Sequence, residues 1–294
     1  MGAADVVPGV SGGTIAFITG IYEELVTTIA NVDLSLVSTW KKEGFGKMWN
    51  QLNGNFILAL LIGIAFSVFT LMRLTNYLLE TYPIMVWSFF FGLVLASVWY
   101  VGKQIDRWTV KLIVFALVGF VIAFGITLIT PAQGMDHPLY FLLCGSVAVC
   151  AMILPGISGA FILVLMGSYK TISEAVSEFN IQTISLVGVG AILGLLSFSR
   201  ILKWLFNHYK TITLSILTGF IAGSLNKIWP WKNILESEVI KGKEVILKEV
   251  SVLPQNFNGD PKLMYAVIAT FLGFLLILAL EKIADQQPLS NAKH

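Results

Sequence analysis

The chain has 294 residues, 56% of them hydrophobic and only 12% charged, with a mean hydropathy of +0.81. Soluble domains carry about a quarter charged residues, so composition excludes an ordinary soluble fold and points to an integral membrane protein. A formal net charge of +2 leaves no basic footprint for nucleic acid, and the two cysteines, Cys144 and Cys150, share one apolar segment without a metal-type spacing.

Residues 1–30 read as a helical hairpin built on Val7-Pro8-Gly9-Val10-Ser11-Gly12-Gly13-Thr14 and followed by Gly20-Ile21-Tyr22. Proline lacks an N–H and clashes with the preceding turn, and glycine tolerates unusual dihedrals, so Pro-Gly stops a helix. The small residues behind it let another begin. No basic leader precedes this motif, so no cleavable signal is expected. Residues 31–55, with Asp33, Lys41, Lys42, Glu43 and Lys47, read as a polar surface connection. Apolar runs at 56–79, 83–102 and 110–130 each meet the ~20 residues that cross ~30 Å of hydrocarbon as a helix.

A turn over Pro131–Pro138 leads to a second hairpin at 138–172, whose break reads Leu154-Pro155-Gly156-Ile157-Ser158-Gly159-Ala160-Phe161 and is followed by Gly167-Ser168-Tyr169. Each arm is too short to cross a membrane alone. This break has an apolar lead-in from Pro138 to Leu154, whereas seven residues precede Pro8, so either the sequence starts late or the first hairpin is short of its descending arm. Further spans are expected at 184–206, 211–229 and 263–281, with an insertion at 230–262 in which Pro230, Pro254 and Pro261 surround a charged, helix-like centre. The tail from Ala284 is polar.

The two halves match. At the offset from Ser11 to Ser158, residues 6–22 share Pro, Gly, Ser, Gly, Ile, Gly and Tyr with 153–169. At the offset from Arg73 to Arg200, Gly63, Leu78, Tyr82, Ser88, Gly92 and Ser97 meet Gly190, Leu205, Tyr209, Ser215, Gly219 and Ser224. The expected fold is therefore all-α with two repeats, 1–130 and 131–294, each a re-entrant hairpin plus three transmembrane helices. Three spans is an odd number, so the second repeat inserts with inverted topology. Lysines and arginines set the orientation. Lys41, Lys42, Lys47, Lys103, Arg107, Lys111, Lys203, Lys210 and Lys282 fall on one side, which makes both termini cytoplasmic.

A helix break inside a membrane exposes backbone dipoles where no water is available, and is tolerated only inside protein or against a cavity. Paired breaks are the best sequence pointer to a transporter's binding site. Ser11, Gly12, Gly13 and Thr14, with Ser158 and Gly159, would present unpaired N–H groups, a positive helix end and hydroxyls to an anion; the same small residues would also permit tight packing. Arg73 and Arg200 lie inside spans, where a charge costs ~2.5–3.5 kcal/mol. They read as a phosphate clamp or as side chains reaching the interface. Asp5 is the candidate carrier of a coupling proton or ion, or a plain helix-end charge. Glu23 and Glu24 read as interfacial. His137, His208 and His294 form neither a metal site nor a triad, and no cofactor is expected.

AADVVPGVSGGTIAFITGIYEEL and LPGISGAFILVLMGSYK together resemble the family catalogued as domain of unknown function 368, associated with bacterial polyprenyl-phosphate transporters. The resemblance covers nearly the whole chain. It implies a flippase of the bacterial cytoplasmic membrane that returns undecaprenyl phosphate, the lipid carrier of cell-wall precursors, from the outer to the inner leaflet. Two other readings stay open at this point. One is a transporter of a small soluble anion, since helix ends bind those equally well. The other is a polyprenyl-pyrophosphate phosphatase, whose PGxSRSxxT signature the first motif resembles; here Gly12 replaces its arginine, and Glu23 and Glu24 follow the motif rather than precede it. Oligomeric state carries no sequence signal.

Overall fold

A computed structural model describes residues 1–2, 11–240 and 243–286. The helices are α1 (Gly12–Ile18), α2 (Tyr22–Ala30), α3 (Ser35–Glu43), α4 (Phe45–Gln51), α5 (Gly54–Thr81), α6 (Pro83–Lys103), α7 (Val110–Leu128), α8 (Pro138–Ile153), α9 (Gly159–Leu165), α10 (Tyr169–Ser177), α11 (Ile181–Ser224) and α12 (Leu263–Gln286). Strands β1 (Lys232–Ile240) and β2 (Lys243–Ser251) form one antiparallel pair. Five of these helices are long and apolar enough to cross a membrane, while Pro138–Ile153 is a shorter apolar helix. The protein is a mostly helical, multi-pass membrane protein.

Element boundaries repeat along the chain. α1 and α9 start and end the same distance apart, from Gly12 to Gly159 and from Ile18 to Leu165, and so do α2 and α10, from Tyr22 to Tyr169 and from Ala30 to Ser177. α5 and α11 begin at Gly54 and Ile181, the spacing that also separates Tyr82 from Tyr209. Tyr82, at the head of α6, has φ −134° and ψ 51°. Tyr209 has φ −138° and ψ 41° inside α11. The spans expected at 184–206 and 211–229 thus correspond to two helices that meet at a non-helical joint within α11. The arm from Ile181 to the joint is long enough as a helix to cross ~30 Å of hydrocarbon, and the second arm, from the joint to Ser224, is shorter.

The chain divides into two compact units that each draw on both sequence halves. Unit one comprises Met1–Gly13, Tyr22–Thr75 and Ala132–Lys210. Within it α8 lies against the first arm of α11 through glycines. A Cβ on Gly190 would run into the backbone of Leu142, one on Gly194 would lie 2.5 Å from the Ser146 carbonyl oxygen, and one on Gly145 would run into Val187. Where lipid is as apolar as leucine, such close backbone approach supplies the packing. The polar connection folds into α3 and α4, with Lys47 paired to Glu43 at 2.9 Å.

Unit two comprises Thr14–Ile21, Asn76–Pro131 and Thr211–His294. α6 packs on α12 through Gly92 and Gly273, which face the backbones of Thr270 and Phe89; α7 packs on the second arm of α11 through Gly119 and Gly219, which face Ile216 and Ala116. Lys103 and Glu281 form an ion pair at the shared end of α6 and α12. The insertion corrects one expectation. Its charged centre is a β-hairpin and not a helix, paired from Lys232↔Ser251 to Ile240↔Lys243. Ile234, Ile246 and Val250 supply β-branched side chains, which suit a pleated pair better than a helix. The base of the hairpin is pinned by Trp229, whose indole N–H donates to the Val252 carbonyl at 2.8 Å, and by Trp231, whose indole donates to Pro261 at 2.9 Å.

Candidate substrate site at the helix breaks

α8 stops at Ile153 because Pro155 supplies no N–H. Leu154 turns extended (φ −65°, ψ 131°), and Gly156 takes φ +97°, a dihedral side-chain-bearing residues rarely adopt. Ser158 then stands at the head of α9 with φ −92° and ψ 135°. Both half-helices end the same way. Gly20 and Gly167 have φ +74° and +64°. Gly20 N–H donates to Phe17 and Ile21 N–H to Ala16, each at 3.0 Å, while Gly167 N–H donates to Val164 and Ser168 N–H to Leu163, each at 2.9 Å. This is the paired-bond glycine cap that satisfies the last carbonyls of a helix. It explains why Gly-x-Tyr follows each break.

The structure brings the two motifs together around the end of α8. Ser11 Oγ donates to the carbonyls of Met152 and Leu154, both at 3.2 Å, and accepts from Gly13 N–H at 3.1 Å. A Cβ on Gly13 would lie 2.6 Å from the Ile153 carbonyl oxygen, and one on Gly159 would lie 2.6 Å from Met152 Cγ and 2.8 Å from the Ala148 carbonyl oxygen. Both glycines therefore sit where only a bare backbone fits, on the same terminal turn of α8. Gly12 is buried at the start of α1. Ser158 is half-buried and its side chain makes no cap hydrogen bond. Thr14 is fully buried, and its hydroxyl has no partner among the described residues.

The charged candidates fall elsewhere or outside view. Arg200 is exposed and donates to the Val32 carbonyl at 2.9 Å. Lys203, one turn on, donates to Asn31 Oδ1 at 2.7 Å. Together they hold the turn after α2, so the arginine's observed bond is to that turn and not to Ser11, Gly13 or Ser158. Asp33, in that turn, has its carboxyl held below the usual range by hydrogen bonds from Ser35 and by the Arg200 charge. Glu23 pairs with Lys210 at 2.7 Å, and Glu24 accepts from Asn53 at 2.8 Å. Asp5, Pro8 and Gly9 lie outside the described residues, as does the side chain of Arg73. Among the described residues no group of three or more metal-ligating side chains forms.

Sequence reasoning missed the Met152 and Leu154 carbonyls, since a backbone acceptor has no residue-type signature. It also missed Ser88, fully buried with no hydroxyl partner among the described residues. Its repeat counterpart Ser215 donates to the Leu112 carbonyl.

These features define a multi-pass helical membrane protein whose sequence carries a Pro-Gly-x-Ser-Gly motif twice, the second copy at an observed helix break. Doubled breaks are a hallmark of transporter architecture. The chain belongs to the VCA0040-like family, described as undecaprenyl phosphate translocase-like, which it matches over residues 1–245. It is 43% identical over 291 residues to a polyprenyl-phosphate transporter of Vibrio cholerae serotype O1, covering 97% of this chain and 94% of that one. It is 31% identical over 250 residues to a polyprenyl-phosphate transporter of Staphylococcus aureus, covering 78% of this chain and 83% of that one. No solved structure matches the chain significantly.

Proposed function

We propose that this protein moves undecaprenyl phosphate from the outer to the inner leaflet of the bacterial cytoplasmic membrane, recycling the carrier lipid of envelope synthesis. It does so as a transporter and not as an enzyme. The observation that carries the reading is the meeting of the start of α1 with the end of α8, Ser11 and Gly13 against Met152–Leu154, in a chain whose relatives are named polyprenyl-phosphate transporters. The phosphate is held where the small-residue segments at 11–14 and 158–159 begin their helices, with Gly12, Gly13, Thr14, Ser158 and Gly159 as candidate contacts, while the prenyl tail stays in lipid. Arg73 and Arg200 supply positive charge, Arg200 by exchanging its bond to Val32 for one to the headgroup. Asp5 is the candidate carrier for a coupling proton or sodium ion.

In this reading the repeats are inverted and both termini are cytoplasmic. Residues assigned to one side of the membrane touch one another, which supports it: Lys103 with Glu281, Lys210 with Glu23, and Lys203 with Asn31. The test is reconstitution into liposomes with labelled undecaprenyl phosphate in one leaflet. Wild type is expected to equilibrate the label far faster than protein-free vesicles, and Ser158→Ala, Arg73→Ala and Arg200→Ala are each expected to slow it about tenfold or more, the loss of one charge-assisted or hydroxyl contact. Transfer unchanged in all three variants would remove these residues from the site. Release of inorganic phosphate from undecaprenyl pyrophosphate would convert the protein into a hydrolase.

A further inference from the structure

We infer that the two motif serines have different tasks, and that Ser11 is a positioning residue that staples the first break to the second instead of a ligand for the substrate phosphate. The inference rests on the reading that polyprenyl phosphate binds at the breaks. α8 ends at Ile153, just before Pro155, so the carbonyls of its final turn have lost their helical donors, and no water is present in a bilayer to replace them. The Ser11 hydroxyl fills that role. Its single proton is shared between the carbonyls of Met152 and Leu154, both at 3.2 Å. One of its lone pairs accepts the Gly13 amide at 3.1 Å.

A phosphate oxygen needs a donor, and a serine hydroxyl has only one hydrogen to give. At Ser11 that hydrogen is committed, and the side chain is 2% exposed. Gly13 reinforces the contact, because any side chain there would strike the Ile153 carbonyl. Ser158, at the corresponding place in the second motif, is half-buried, its oxygen accepts no cap hydrogen bond, and its hydroxyl donates to no group among the described residues, so its proton is available. The threonine of the first motif has no counterpart either: Phe161 stands where Thr14 would be repeated. The two copies have the same backbone plan and unequal hydroxyl chemistry.

The test uses the full chain in a background lacking Cys144 and Cys150, with single cysteines Ser11→Cys and Ser158→Cys alkylated in vesicles with and without undecaprenyl phosphate. Ser158→Cys is expected to react and to be protected by the lipid, and Ser11→Cys to stay inert under both conditions. Alongside, thermal unfolding is measured without lipid. Ser11→Ala is expected to lower the midpoint by on the order of 5 °C, with Ser158→Ala within about one degree of wild type, and Ser11→Thr, which keeps a hydroxyl, to recover part of the loss. Lipid-dependent protection of Ser11→Cys, or an unchanged midpoint in Ser11→Ala, would overturn the staple. Wild-type transfer of the lipid tests the underlying reading separately, since the lipid-free unfolding result stands whichever substrate is carried.

Discussion

Ser88 and Ser215 occupy the same place in the two repeats and meet different fates. Ser215 donates its hydroxyl proton across a helix interface to the Leu112 carbonyl. The Ser88 hydroxyl, equally buried, has no partner among the described residues. Removing one partner of a buried hydrogen bond leaves the other group desolvated and unpaired, a cost of about 1–3 kcal/mol, while removing an unpaired hydroxyl relieves one. Ser215→Ala is therefore expected to destabilise the protein by about 1–3 kcal/mol, and Ser88→Ala to be neutral or mildly stabilising. Thermal unfolding in detergent checks the pair; a larger loss at Ser88 than at Ser215 would reverse the assignment. Such differences between matched serines are invisible in the sequence, where the two positions look alike.

At the scale of elements, the β-hairpin is held to its base by two lysines on one carboxylate. Lys227 and Lys232 each reach Glu249 Oε1 at 2.8 Å, and Lys232 also lies 5.5 Å from the centre of the Trp87 ring. Burial pushes the Lys232 amine down to about 8, with Lys227 adding to the fall and Glu249 opposing it. Burial raises the Glu249 carboxyl, but Lys232 and Lys227 outweigh it and hold the group below its usual value. Glu249→Gln removes the carboxylate that two half-buried ammonium groups share and is expected to cost about 3–5 kcal/mol. Lys232→Met leaves a balanced pair and should cost less than half as much. The sign of the pH effect follows from the shift. Between about 8 and the ordinary lysine value of 10.5, the unfolded chain holds a proton that folded Lys232 has released, so stability from this group rises with pH across that window. Unfolding midpoints of wild type and Lys232→Met, compared from pH 7 to 10, should converge or cross as pH rises; parallel curves would show that Lys232 does not titrate there.

For the whole molecule, the spans and the insertion set which loops face which side. In the orientation proposed above, the α3–α4 connection lies in the cytoplasm and the hairpin insertion outside. A cysteine at Gln255, exposed after the hairpin, is expected to react with a membrane-impermeant thiol reagent in intact cells. One at Ser38, exposed on α3, should react only after permeabilisation. Labelling of both from outside, or the reverse order, would overturn the orientation. The compact units also cut across the sequence halves: unit one takes Tyr22–Thr75 and Ala132–Lys210 from different repeats. A division at residue 130 is natural in the sequence because self-similarity is read along the chain. Compactness is decided by which helix faces interlock, and the glycines of α6 and α7 interlock with α12 and the second arm of α11.

Hydropathy runs of membrane length, Pro-Gly breaks and glycine caps act through the backbone within a few residues, and the sequence by itself determined the long apolar helices, the break after α8 and the repeat spacing. The alternation that makes 232–251 a hairpin was present as well, but lysines and glutamates there suit a helix equally well until strand pairing selects. The tertiary structure alone decided that Ser11 serves carbonyls 141 and 143 residues away and that Arg200 is bonded to the turn after α2. Hydrogen bonds to main-chain oxygens depend on where the chain folds back, and every residue offers the same carbonyl, so nothing in the residue types could have announced them.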